Sequence, residues 1–209
     1  MSADLWIATG NAKKRAELER LLRPLGVQLH LPSELAAPWT PVEDQDTFAG
    51  NARKKAASLA LLAGAPALAD DSGLSVDALD GRPGVHSARY GGEGLSDQDR
   101  LRLLLGEMRD VLPERRTAFF TCSLCLCGPD GEVRLAVEQH CNGVLLAEPR
   151  GDGGFGYDPA FVAAECLGED PAPTFAELEP ARKDQLSHRG KALRALLAKL
   201  RAAPGLLAP

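Results

Sequence analysis

Hydrophobic and polar positions change period several times along this chain, and each change marks an element. The opening "LWIATG" is an apolar run ending at Gly10 and reads as a strand. In "NAKKRAELERLLRPLG", Leu18, Leu21, Leu22 and Leu25 share one helical face. Asn11 is the expected N-cap, and Pro24 with Gly26 closes that helix. "VQLHL" reads as a second strand and "PSELAAPWTPVEDQ" as an irregular loop. A second helix is predicted from Asp46 or Thr47 to Gly64, with Phe48, Ala52, Leu59 and Ala63 on its apolar face. Asn51 and Lys55 fall on that same face, a polar pair where core residues are expected.

"APALAD" reads as a short buried strand, followed by a turn at "DDSG" and a Gly-rich loop, "DGRPGVHSARYGGEG". Ser96 with Asp99 three residues on starts a helix whose stripe is Leu101, Leu104, Leu105 and Met108. "TAFFTCSLCLC", the turn "GPDG" and "EVRLAVEQHC" make a β-hairpin. "GDGGFGYDPAFV" is a second Gly-rich loop running into a short strand. Ser187 caps a last helix, with Gly190, Leu193, Leu197 and Leu200 on one face. Strands and helices mix throughout without repeats or linkers, so the expected class is α/β with a mixed sheet. Residues 1–209 suit one domain, large enough to bury a real core and to form two lobes.

Composition narrows the function. Apolar content of 44% and charged content of 25% are ordinary for a globular protein. A net charge of −5 argues against nucleic-acid or membrane-surface binding. The opening "MSADLWIATG" lacks the basic start and apolar core of a signal peptide, and no apolar run spans a membrane, so a cytoplasmic location is expected. Five cysteines, at 122, 125, 127, 141 and 166, do not suggest a disulfide framework. Cys122 and Cys125 have the spacing of half a zinc site, but their segment reads as a strand with no matching second pair, so core packing is the favoured reading.

Four stretches carry more chemistry than structure alone needs. In "TGNAKK", Lys13 and Lys14 lie in a first helical turn, where cations are disfavoured unless an anion is near. Asp70 and Asp71, with Glu43 and Asp44, offer hard oxygen ligands of the kind that hold Mg²⁺ beside phosphates. Two adjacent carboxylates at the end of a buried run also require something positive nearby. "GGFGYDP" puts Phe155, Tyr157 and Asp158 among four glycines, an arrangement that suits stacking on a base and accepting its N–H groups. Lys183 and "SHRG" add His188 and Arg189 at the start of the last helix. Each has a plain structural reading as well: a cap, a turn, a hairpin loop or solvated basic side chains. Together they suggest a nucleoside triphosphate, although the P-loop spacing is absent.

The chain also resembles a known family. "TGNAKK", "TFAGNARKKA", "ADDSGLSVDAL", "PGVHSARYGG", "GGFGYDPAF" and "LSHRGKAL" occur in the order seen in the inosine triphosphate pyrophosphatase family, over roughly residues 4 to 200. The resemblance implies a long mixed sheet in two lobes around a nucleotide-binding cleft, and a homodimer. It also implies Mg²⁺-dependent cleavage of non-standard purine triphosphates (ITP, dITP and XTP) to monophosphate and pyrophosphate. Thr9, Gly10, Asn11, Ala12, Lys13 and Lys14 match the family's phosphate loop, and Lys55 its triphosphate-binding lysine. Glu43 and Asp71 match the metal acids, with Asp71 also the catalytic proton acceptor; Ser72 matches a substrate contact. Phe155, Gly156, Tyr157, Asp158, Lys183, His188 and Arg189 match the base-recognition set. Gly50 stands where the family usually has an acid, and Ala181 also replaces a common acid. The competing readings are a Maf-type pyrophosphatase for pyrimidine or modified nucleotides, a kinase-like phosphotransferase, which lacks its P-loop here, and a non-catalytic nucleotide sensor.

Overall fold

A computed structural model describes residues 4–208. Strand β1 (Asp4–Ala8), helix α1 (Ala12–Leu22) and strand β2 (Gln28–His30) form a parallel βαβ unit, with Asp4 opposite Gln28 and Trp6 opposite His30. Leu18 and Leu22 of α1 are buried against Leu5 and Ile7 of β1, as the helical spacing predicts. Each such leucine stabilises by roughly 1.5–3 kcal/mol relative to exposure. Helix α2 (Phe48–Ala63) starts at Thr47, whose side chain accepts from the Gly50 N–H. It ends at Gly64, which takes the left-handed conformation that glycine adopts without strain. Ala52, Ala56 and Ala60 of α2 pack with Ala8 of β1 and with Ala67 and Ala69 of β3 (Ala67–Val76). This contact of small residues brings the helix backbone close to the strands.

Among the described residues the sheet is mixed, with six strands in the order β2-β1-β3-β4-β5-β6. Strand β3 runs parallel to β1, with Trp6 opposite Ala67. Strands β4 (Thr117–Cys127) and β5 (Val133–Leu145) form the expected hairpin, closed by the Gly128 N–H on the Glu132 carbonyl. Strand β6 (Phe161–Ala163) adds antiparallel to β5. Three more helices follow the chain order: α3 (Asp97–Glu107), α4 (Pro180–Leu186) and α5 (His188–Ala202). Among the described residues no helix is long and apolar enough to cross a membrane.

The chain divides into two compact units, each with its own core. One comprises the residues up to Asp71, Cys122–Gln139 and those from Ala192 onward; the other comprises Ser72–Thr121 and His140–Lys191. In the first, leucines of α1 and α5 pack with Leu68, Leu124 and Leu126. In the second, Leu101, Leu104 and Met108 of α3 and its C-cap pack with Leu74, Val76, Phe161 and Phe175. All five cysteines are free and buried. Cys122 and Cys125 are three apart in one strand, so they face opposite sides of the sheet and lie in different clusters. The half-site spacing is therefore core packing.

Three local expectations need correction. The "DDSG" turn does not form: β3 continues through it to Val76, and Gly73 is buried. The apolar residues Leu74 and Val76 anchor the far side, and that packing overrides the turn preference of Ser-Gly. The first Gly-rich loop contains a 3₁₀ helix, Gly84–Arg89. Helix α4 was not expected, because its seven residues bury nothing and so leave no apolar period to read.

Ser187 caps α5 as predicted, accepting the Gly190 N–H at 3.1 Å. A side chain on Gly190 would overlap the carbonyl oxygen of Asp184 in α4. Alanine ordinarily strengthens a helix by about 1 kcal/mol over glycine. Here Gly190→Ala is expected to destabilise instead, by about 1–3 kcal/mol from overpacking. The urea-unfolding midpoint checks this; an unchanged or higher midpoint would mean that the α4–α5 junction opens freely.

Candidate active site

In a β-strand, neighbouring side chains point to opposite faces. That separates the adjacent aspartates of β3 and gives each its own lysine. Asp70 is almost fully buried, and its Oδ2 meets the Nζ of Lys14 in α1 at 3.1 Å. Asp71 faces α2, where Lys55 Nζ lies 3.3 Å from its Oδ1. The same ammonium lies 2.7 Å from Oε1 of Glu43. Lys55 is 5% exposed and Asp71 6%. The polar pair on the apolar face of α2 is thus explained: Lys55 and Asn51 both meet Asp71, the latter through Nδ2 on Oδ2 at 3.1 Å. Asp44 stands apart, paired at the surface with Lys54 at 2.7 Å.

These contacts shift the titrations. Burial raises the Asp71 carboxyl above its ordinary range, with a smaller push from Glu43; Lys55, Lys14 and the Asn51 hydrogen bond act against it. Burial acts to lower Lys55, but the charges of Asp71, Asp70 and Glu43 outweigh it, and the ammonium is held above its ordinary range.

The phosphate-loop candidates line the turn between β1 and α1. Asn11 Oδ1 accepts from the N–H groups of Lys13 at 2.9 Å and Lys14 at 3.2 Å. Thr9 Oγ1 accepts from the Asn11 N–H at 3.2 Å. The cap therefore engages the N–H groups of Lys13 and Lys14, so not all of the turn's N–H groups are open. Gly10, Asn11, Ala12 and Lys13 are exposed, and nothing lies within 4 Å of where a Gly10 side chain would project.

The base-recognition candidates gather in the second unit. Phe155 lies under two cations, Lys183 Nζ at 5.2 Å and the Arg189 guanidinium at 5.7 Å from its ring centre. Arg189 donates to Ser72 Oγ at 2.9 Å. His188 is buried and stacks on Phe120, with ring centres 4.6 Å apart. Two of these residues are engaged with the protein itself. Oδ2 of Asp158 accepts from the Phe155 N–H at 2.8 Å and from Lys183 at 2.7 Å, so this acid organises the loop. Tyr157 is buried in the core, its hydroxyl donating to the Ser87 carbonyl at 2.9 Å. The loop glycines also serve the protein itself. Side chains at Gly151 and Gly153 would come within 2.8 Å and 2.6 Å of Ala176 backbone atoms, and one at Gly154 would overlap the Asp158 carboxylate. Only Gly156 of the four has open space around it.

Two residues here escaped the sequence reading. The helical position of Asn51 marks it as out of place in a core, but nothing in the sequence names its partner. Asp97, the first residue of α3, accepts the Gly156 N–H through Oδ2 at 3.1 Å and so ties the Phe155 loop to α3. An acid after a serine cap reads only as a complement to the helix dipole, so no sequence signal distinguished it.

One unit carries lysine–carboxylate pairs and a capped strand–turn–helix, the other a cation-flanked aromatic loop, and each set is of the kind found in proteins that handle anionic ligands. The chain belongs to the Ham1 family, whose profile matches residues 5–199. A relative from Rhodopirellula baltica, named dITP/XTP pyrophosphatase, is 47% identical over 197 residues, covering 94% of this chain and 92% of its own. One of the same name from Thermus thermophilus is 49% identical over 191 residues, covering 91% of this chain and 88% of its own. The solved structure of a HAM1 protein from Coxiella burnetii superposes with a TM-score of 0.85 at 36% identity, covering 96% of this chain and all of that one.

Removing Lys55 leaves Asp71 buried without its ammonium, a loss that typically costs about 3–5 kcal/mol. Asp71 titrates above its ordinary 3.8 in the folded state, so its stabilising contribution is complete below that value and fades as pH rises through the folded value. Lys55→Met raises the folded value further. The deficit, measured by urea unfolding in a chelator, is therefore expected to be largest at neutral pH and to shrink towards pH 3.8. The contribution of Lys55 is in place below its ordinary 10.5 and is lost as pH rises through its raised folded value, so the two proteins should also converge at strongly alkaline pH. A deficit independent of pH would show that Asp71 is not the group left unpaired.

Proposed function

We propose that this protein hydrolyses the non-standard purine nucleoside triphosphates ITP, dITP and XTP to the monophosphate and pyrophosphate. The single observation that carries the reading is the buried set of Asp71, Lys55 and Glu43, in a chain close to half identical to dITP/XTP pyrophosphatases. In this reading Thr9, Gly10, Asn11, Ala12, Lys13, Lys14 and Lys55 serve the phosphates. Phe155, Gly156, Lys183, His188 and Arg189 serve the purine and Ser72 is a further substrate contact, with Tyr157 and Asp158 holding the Phe155 loop in shape. The named relatives favour purine triphosphates over the Maf-type alternative, and the acid pair favours an enzyme over a sensor.

The residues also suit a divalent cation. Glu43 and Asp71 reach one ammonium, which keeps both carboxylates within the span of a single cation, and Mg²⁺ usually takes one or two carboxylates plus phosphate oxygens and water. Among the described residues no three His, Cys, Asp or Glu side chains cluster tightly enough to form a protein-only site, as this mode requires none. Bound Mg²⁺ would supply charge neutralisation on the phosphate oxygens.

The reaction then follows from the side chains. A water oxygen adds to a phosphorus of the α–β anhydride, and the bridging P–O bond breaks, leaving monophosphate and pyrophosphate. The water proton passes to Asp71, the carboxylate that Lys55 and Asn51 hold in place. Lys55 exchanges its carboxylate partners for phosphate oxygens, and Lys14 adds positive charge from α1. The proposal includes a homodimer working in the cytoplasm.

Pyrophosphate release from ITP, dITP, XTP, GTP and ATP with Mg²⁺ tests the reading. The first three are expected to be cleaved well and ATP poorly. Asp71→Asn should abolish release while leaving nucleotide binding largely intact, because the lysines and the α1 turn remain. Near-normal turnover by that variant would remove Asp71 as the proton acceptor.

Base choice gives a separate test. Hypoxanthine and xanthine carry a carbonyl at C6 and adenine an amino group. Donors from Lys183 and Arg189 would be accepted by the carbonyl and left unpaired by the amine. Each unpaired buried donor costs about 1–3 kcal/mol, so two reject ATP by roughly 10²–10⁴-fold in kcat/KM. Arg189→Ala should narrow the ITP-to-ATP gap more than the ITP-to-GTP gap, since GTP shares the carbonyl. An unchanged ITP-to-ATP ratio would take Arg189 out of base recognition.

A further inference from the structure

Asn51 lies on the buried face of α2 with no exposed surface. Its side chain meets two separate segments. Nδ2 donates to Oδ2 of Asp71 at 3.1 Å and to the Gln45 carbonyl at 3.4 Å, while Oδ1 accepts the Gln45 N–H at 3.0 Å. Lys55, one turn further along, takes the other Asp71 oxygen, Oδ1. The two oxygens of Asp71 are therefore assigned to different partners, which fixes the rotation of the carboxylate. Gln45 is two residues from Glu43, so the same amide anchors the loop that carries the second acid.

Gly50 fits this arrangement. A side chain there would bring its Cβ 2.9 Å from Cβ of Gln45 and 3.0 Å from Oγ1 of Thr47. Its absence lets the loop lie against the first turn of α2. The choice of an amide also has a physical logic. It donates to a carboxylate without adding positive charge, so it orients Asp71 without competing with a cation.

We propose that Asn51 is a positioning residue: it fixes the carboxylate of Asp71 and ties the Glu43 loop to it, so that the two acids meet a divalent cation as one preset pair. The inference rests on the hydrolytic reading above. Partners that orient metal-binding side chains typically contribute 10–100-fold to metal affinity or activity.

Three variants test it: Asn51→Leu, Asn51→Asp and Gly50→Ala. The readouts are kcat and KM for ITP with Mg²⁺, affinity for Mn²⁺ alone by electron paramagnetic resonance, and the thermal midpoint. Asn51→Leu should lower kcat by about 10–100-fold with a much smaller change in KM, and should weaken Mn²⁺ binding. Asn51→Asp keeps an acceptor for the Gln45 N–H but loses the donor to Asp71, so its kcat should fall as far. Wild-type kcat in Asn51→Asp would make Asn51 a loop anchor only and overturn the proposal, as would unchanged kcat in Asn51→Leu. If both variants fail to fold, Gly50→Ala decides. Lowered kcat and Mn²⁺ affinity in a folded protein support the preset pair, and wild-type values for both overturn it. Wild-type protein that releases no pyrophosphate from ITP would sink the hydrolytic reading instead, and the Mn²⁺ comparison would still judge Asn51.

Discussion

The ammonium of Lys55 is buried, and the residues around it are arranged to make that possible. An unpaired charge at such a position is costly enough that the group would ordinarily neutralise. Here two carboxylates contact it and a third, on Asp70, adds to the field, so it stays charged. The carboxylate of Asp71 is equally dependent on the lysine, because burial alone favours its protonated form. Neither partner is stable in this place without the other. The backbone makes the meeting possible. Alanines on α2 and on β1 and β3 let helix and strand approach closely, so a lysine on the helix reaches an aspartate on the strand.

The same economy appears in the second unit with different chemistry. The Phe155 loop is held by its own protein, not by anything it waits to bind. Glycines press on the Ala176 backbone and on Asp158, Asp158 holds Lys183, and Asp97 holds the Gly156 N–H. A loop so constrained presents its aromatic ring with little conformational freedom left to lose. That favours binding, since ordering costs are met during folding.

Much of this was legible in the sequence. The leucine spacings gave α1, α3 and α5, and Asn11 and Ser96 formed the caps expected of them. The misplaced polar pair on α2 pointed directly at the site. What was not legible depended on contacts distant in sequence. Ser-Gly after the aspartates signals a turn locally, and only packing of Leu74 and Val76 keeps the strand going. Glycines at 151, 153 and 154 look like space for a ligand until their neighbours are known. The task of Asp97 depends on a loop 59 residues away.

The continuation of β3 through the paired aspartates has a further consequence. Had the chain turned there, Asp70 and Asp71 would not be required to face opposite ways. In a strand they must, and so the pair divides its labour by geometry. Asp70 pairs with Lys14 and links β3 to α1, leaving Lys14 anchored in the first turn of α1, next to the loop where phosphate is expected. Asp71 is left with one fixed partner, the neutral Asn51 amide, and one exchangeable partner, a lysine that a polyphosphate could draw away. Adjacent acids would repel if they shared a face. On opposite faces, each with its own cation, one can be structural and the other reactive.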